Sequence, residues 1–262
     1  MIGDQFTEFS PYTNPEKFIY LFRNLPISLE EINDIIHSQL IHPGMARELV
    51  TQDNNKDEEI CETVSTILAK LQERNPIGLS LNRKPEHRVV NNCCGHSQLM
   101  AAILKNQGVP ARLRCGFSLY PFKGYSCDHT VVEVLIDEQW CLIDPSQTKQ
   151  SKYFRLHQVP EQVFHFGWQA WQRTRNGIDS IERYCIAPGI MAGEDSSELL
   201  RGALVRDLAC IFSHEIQCWY TPNFRNVTGN DTYPMLDEIA ALMSSIDENL
   251  DKLELYFNSL TI

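Results

Sequence analysis

Between residues 88 and 147 the chain changes character, one helix giving way to extended runs while helical patterning holds on either side, and this switch limits the folds open to it most tightly. An apolar run from Cys93 to Gln107 reads as a helix halted by Gly108, with Pro110 just beyond, a glycine-then-proline stop. Three extended runs follow: Ala111–Leu119, His129–Ile136 and Gln139–Asp144. The last two carry apolar residues on both faces, which predicts a sheet covered on both sides. Upstream, Asn14-Pro15-Glu16 reads as a helix start and Ser28-Leu29-Glu30-Glu31 as a capping box. A run from Asp57 places Ile60, Val64, Ile67, Leu68 and Leu71 on one stripe. Downstream, Val163–Arg175, Ser197–His214 and the tail from Pro234 read helical, with the aromatics Phe164, Phe166, Trp168 and Trp171 at core spacing. A small antiparallel sheet with helices around it predicts an α+β protein. One domain over 1–262 is expected, with helical flanks at 1–80 and 151–262 around a core at 81–150.

Charge narrows the function classes. The 34 acidic and 23 basic residues give a formal charge of −11, which argues against nucleic acid and anionic membrane as partners. No run of eighteen apolar residues occurs, and the opening MIGDQFTEFS has neither basic nor apolar character. Nine cysteines leave at least one thiol unpaired, so a reducing, cytoplasmic setting is expected. Cys93, Cys94 and His96 stand too close together for a structural zinc site, and neither metal nor cofactor is implied.

The middle segment holds Cys93, His129 and Asp144, the nucleophile, base and orienting acid of thiol catalysis. Cys93 would open a helix, where unpaired N–H groups and the dipole favour a thiolate. Cys94 competes, but residues at helical offsets from Cys93 are mostly apolar and those from Cys94 are mixed. If Asp137-Glu138 forms a two-residue turn, Ile136 pairs with Gln139 and Val131 stands opposite Asp144. His129 is then diagonal to Asp144 on one face, about 7–8 Å away between backbones. Asn91 and Asn92 suit either an oxyanion-assisting amide or a helix cap. Asp128 is expected in a loop.

Arg88-Val-Val-Asn-Asn-Cys93, Leu99-Met-Ala-Ala-Ile-Leu104 and Gln107-Gly-Val-Pro-Ala-Arg-Leu-Arg-Cys-Gly-Phe117 together resemble the core of transglutaminase-like proteins. Asp128-His129 and Trp140-Cys-Leu-Ile-Asp144-Pro145 continue the resemblance, and the fifteen-residue spacing from Cys93 to Gly108 is that superfamily's own. The Leu25-Pro26 pair, the Trp168–Arg173 helix and Arg206-Asp207-Leu208 resemble a group of full-length bacterial members. The resemblance implies a papain-like core in which Cys93 attacks a carboxamide carbon, His129 carries the proton and Asp144 orients the imidazole. It implies a protein, peptide or small amide substrate, with the acyl group passed from a thioester to water or an amine. The residues after the nucleophile and the base, Cys94 and Thr130, depart from the usual pattern. A binding module that keeps the fold without turnover, and an acyl-transferring enzyme with the same triad, are the competing readings.

Overall fold

The computed structural model describes residues 3–43, 60–120, 122–147, 154, 159–188, 196–217, 227 and 229–260. Its strands form a two-stranded sheet and a five-stranded one, the latter ordered Gln139–Ile143, Ser126–Ile136, Ala111–Ser118 and Phe164–Phe166, with Tyr184–Cys185 beside Ser126–Ile136. Proximity in space divides the chain into two units, chiefly Gly3–Leu113 with Val131–Val159, and Arg114–Thr130 with Pro160–Ile262. No helix among the described residues is long and apolar enough to cross a membrane.

In the first unit, Ser28 caps α1 (Leu29–Gln39) as expected, its hydroxyl accepting from the Glu31 N–H, and Ile32, Ile35 and Ile36 are buried. Leu40–Ile41 (β1) runs parallel to Val89–Val90 (β2), in register Leu40↔Val89. The start at Asn14-Pro15-Glu16 yields a 3-10 helix, Glu16–Phe22, in place of an α-helix. Glu16 sits at φ +49, a left-handed conformation that a regular helical first turn does not accept. α2 spans Val64–Arg74 and buries Val64, Ile67, Leu68 and Leu71, the expected stripe. It starts later than expected because Thr63 and Thr66 form a reciprocal capping box that leaves Ile60 outside; residues 57–59 lie outside the described residues.

α3 (Cys93–Asn106) is buried from Cys93 through Lys105, so it is a central helix without a solvent face. Gly108 at φ +75 ends it, a conformation that costs glycine nothing. Residues 111–113 of β3 (Ala111–Ser118) and 131–136 of β4 (Ser126–Ile136) follow in this unit. β4 pairs antiparallel with β5 (Gln139–Ile143) in register Ile136↔Gln139 through Val132↔Ile143. This is the register that the two-residue turn predicts. Asp137 and Glu138 both have positive φ, 48 and 62, the signature of a type I′ turn. Where Arg112 leaves β3, it pairs with Glu133 at 2.6 Å and lies over the Trp140 ring at 4.0 Å.

In the second unit, β6 (Phe164–Phe166) pairs antiparallel with β3, Gly116↔Phe166 to Ser118↔Phe164. Expected as helix, these residues form a strand because the edge of β3 takes up their hydrogen bonds. α4 therefore begins at Gly167 and runs to Arg175. A side chain at Gly167 would overlap the Ala203 carbonyl of α5 (Ser196–Ile211), so only glycine allows this approach. β4 begins at Ser126, three residues before the expected start, since Ser126 and Cys127 pair with β7 (Tyr184–Cys185). Asp128 is accordingly a strand residue and not a loop residue. α6 (Tyr233–Met243) and α7 (Ile246–Ser259) close the unit, whose core includes Phe117, Trp171, Tyr184, Leu204, Leu208 and Ile239.

Candidate active site

Cys93 is the first residue of α3 and 3% exposed. The turn before it is built from two asparagines. The Asn92 side chain accepts from the Gly95 N–H at 3.2 Å, which makes it the N-cap. Asn91 Oδ1 accepts from the Asn92 N–H at 2.9 Å, and its Nδ2 donates to the Cys61 carbonyl at 3.1 Å. Of the two roles open to Asn92, capping is the one the geometry fills. A Cβ at Gly95 would overlap the Asn91 carboxamide, so the Gly95 position is tied to that side chain. Cys94 is as buried as Cys93, at 1%, so the contrast of faces drawn from the sequence does not separate the two thiols. Helix position does, since the cap and the dipole act most strongly at the first residue.

His96, one turn on, is rejected by its spacing as a zinc ligand and is part of the thiol's surroundings. Its Nδ1 donates to the Asn92 carbonyl at 2.8 Å, which leaves Nε2 as an acceptor with no partner among the described residues. The rings of His37 and His42 lie 5.7 and 6.4 Å from it. Burial first, then the His37 charge, pushes the His96 pKa down to about 3, so the ring is neutral at physiological pH. No group of three His, Cys, Asp or Glu among the described residues is arranged to hold a metal ion.

Asp144 is fully buried just past the end of β5. Its Oδ1 accepts from the Ser146 N–H at 2.9 Å and the Ser146 hydroxyl at 2.7 Å, closing the turn through Pro145. α1 holds that turn from outside: Asn33 Nδ2 donates to the Gln147 carbonyl at 2.8 Å, and His37 Nε2 reaches the same oxygen at 3.1 Å. Burial lowers the His37 pKa, while the Gln147 carbonyl and the Asp144 charge oppose that shift. Asn33 and His37 stand one helical turn apart beside the Ile32/Ile36 stripe. That polar pair on a buried face is the sequence signal that could have found them.

His129 lies in the other unit, on β4, 8% exposed, its ring edge-to-face with Tyr120 at 6.2 Å and 88°. The residues on either side of it are anchored. Asp128 Oδ1 accepts from Arg206 Nη2 at 2.7 Å, and Thr130 Oγ1 lies 3.8 Å from Cys115 Sγ. Next to Arg206 on α5, Asp207 takes Arg114 at 2.8 and 2.9 Å and the Cys115 N–H at 3.0 Å. Two further thiol pairs occupy this unit, Cys115–Cys210 at 3.7 Å and Cys127–Cys185 at 3.8 Å. An open cleft of about 540 Å³ lies at the start of α4, lined among others by Trp168, His165, Arg173 and Arg183. Trp171 is in the core as expected, and Trp168 packs against that core half-buried, at this cleft.

The sequence profile of the transglutaminase-like superfamily matches residues 46–145, a span that takes in Cys93, His129 and Asp144. The match spans 100 of the chain's 262 residues. The chain's architecture is the expected α+β class with a papain/transglutaminase-like core and helical flanks. A solved structure of a candidate cysteine protease from Cytophaga hutchinsonii aligns at 17% identity and a TM-score of 0.36. The alignment covers 62% of this chain and 44% of that one, so the chain spans less than half the length of that protein. No curated protein matches the chain.

Proposed function

We propose that this transglutaminase-like chain is a cysteine enzyme acting on a carboxamide or peptide carbonyl. Cys93 Sγ attacks the carbonyl carbon and His129 takes the thiol proton. The same imidazole returns a proton to the leaving nitrogen, which departs as ammonia or an amine, leaving a thioester on Cys93. Water or an amine then releases the acyl group and restores the thiol. Asp144 holds the imidazole in tautomer and orientation. The observation that carries this reading is Cys93 as the capped first residue of α3, inside the segment that matches the superfamily. The β4–β5 register supports the acid: it runs as expected from Ile136↔Gln139 to Val132↔Ile143, the residue just before Asp144.

Wild type and Cys93→Ala are compared on a glutamine-containing peptide, following ammonia release with and without a primary amine, and on an acyl thioester. Turnover by wild type alone is expected on the peptide. Thioester turnover without amide turnover would instead mark an acyl-transferring enzyme. Equal inactivity of both proteins on every substrate would sink the enzymatic reading. Burial of the thiol favours one alternative, a module that binds through this fold without turning over. Retained peptide binding by Cys93→Ala, with no turnover by either protein, would establish it.

A further inference from the structure

The second unit places a buried ion pair directly behind the proposed base. In an extended strand successive side chains point to opposite faces. Asp128 and Thr130 therefore share one face of β4 and His129 presents the other. Asp128 meets Arg206 at 2.7 Å, with both side chains 2% exposed. Thr130 meets Cys115. Cys115 in turn is tied through its N–H to Asp207, the residue after Arg206. Two consecutive residues of α5 thus hold β4 and β3 on either side of His129.

A buried ion pair is a weak stabiliser, because desolvating two charges offsets most of their attraction. What a short charge-assisted hydrogen bond does supply is direction, since it is strong in one arrangement of donor and acceptor only. We propose that Arg206 is a positioning residue for His129, acting through Asp128 from the opposite face of β4. This rests on the reading of His129 as the base for Cys93. The Arg206–Asp128 bond sets the twist of β4 at residue 128, and the next residue inherits it. The Tyr120 ring then limits where the imidazole turns.

The test follows the rate at which iodoacetamide alkylates Cys93, resolved by peptide mass spectrometry, with the melting temperature of each variant measured alongside. The double variant Arg206→Met/Asp128→Leu removes both charges at once and leaves no buried ion unpaired, so it should melt close to wild type. Its Cys93 rate is expected to fall about tenfold or more, because small displacements of a catalytic group are costly. A double variant that labels Cys93 at the wild-type rate overturns the proposal, as does a series of variants whose rates simply track their melting temperatures. If the double variant fails to fold, Arg206→Lys is compared with Arg206→Gln at a temperature where both are folded. The lysine variant should keep more of the rate, and equal rates overturn the proposal. His129→Ala is the control for the reading beneath: if it labels Cys93 as fast as wild type, that reading fails whatever Arg206 does.

Discussion

Buried imidazoles make the molecule sensitive to acid one residue at a time. Burial pushes the His96 pKa down from 6.5 to about 3 and that of His165 to about 4. The unfolded chain takes up a proton near pH 6.5 that folded His96 refuses until about pH 3. Stability from this residue is therefore complete above pH 6.5 and is lost as the pH falls, by about 1.4 kcal/mol per pH unit. Urea unfolding at pH 7.5, 5.5 and 4.5 should show His96→Leu with a shallower acid slope than wild type, by about one proton. Parallel slopes would place His96 outside this account. The thiols divide in the same way. Burial, then the neighbouring Cys185, pushes Cys127 up to about 12, so at neutral pH it stays a thiol. Iodoacetamide should leave Cys127 and Cys185 unmodified in the folded protein while it labels Cys93, and mapping of the labelled peptides checks this. The candidates Cys93, His129 and Asp144 stand out in the sequence by residue type and by position, at the start of a helix, on a strand and at the end of a strand. The polar pair Asn33 and His37 marks its helix face, but their shared partner does not show, since a bond from residue 33 to residue 147 leaves no periodic trace. Arg83 makes the point most plainly: 1% exposed, it donates to Gln39, Leu71, Asn75 and Gly78, partners scattered over the first unit.

Among the elements, the β4–β5 hairpin was readable to the residue because a two-residue turn and a period of two leave one register. What did not show was that Asp137 and Glu138 both adopt left-handed backbone, at φ 48 and 62, a conformation L-residues other than Asn and Asp take at a cost of about 1 kcal/mol. Glu138→Gly should therefore stabilise the protein by about 0.5–1 kcal/mol, the reverse of the usual effect of glycine in a folded chain. A lower denaturation midpoint for this variant would contradict the turn assignment. The start of α3 allows a second test. Asn92→Ala removes the N-cap and should cost about 1 kcal/mol. Gly95→Ala forces a methyl group into the Asn91 carboxamide and should cost more, about 2–3 kcal/mol. Because the two residues collide, Asn91→Ala/Gly95→Ala should lose less than the sum of its single variants. Additive losses would mean that Asn91 is not what confines residue 95. Two of the elements misread from sequence failed for one reason. At Thr63 a side-chain cap, and at Phe164–Phe166 a distant strand edge, supplied hydrogen bonds that outweighed a local apolar period.

For the whole molecule, the way the chain is cut into units decides how it should unfold. The division falls at residues 113/114, 130/131 and 159/160, and neither unit is a continuous segment. Two of these crossings lie inside strands, β3 at 113/114 and β4 at 130/131. A strand cannot lose half its ladder while the other half keeps its geometry, because hydrogen bonds beside the break go unpaired and the freed chain pulls on the next residue. Melting either unit therefore frays the strands of the other, and the sequence-based expectation of a single domain becomes a thermodynamic prediction. Calorimetry should give one transition with an enthalpy of about 180 kcal/mol at typical values per residue, and a van't Hoff enthalpy equal to it. The same midpoint should appear in far-UV circular dichroism and in the fluorescence of Trp140 and Trp171, which sit in different units. Two resolved transitions of about 90 kcal/mol each would show that continuity through β3 and β4 does not couple the units. In that case Cys93 and Asp144 would melt with one transition and His129 with the other, and a thiol rate dependent on His129 would collapse at the lower of the two temperatures.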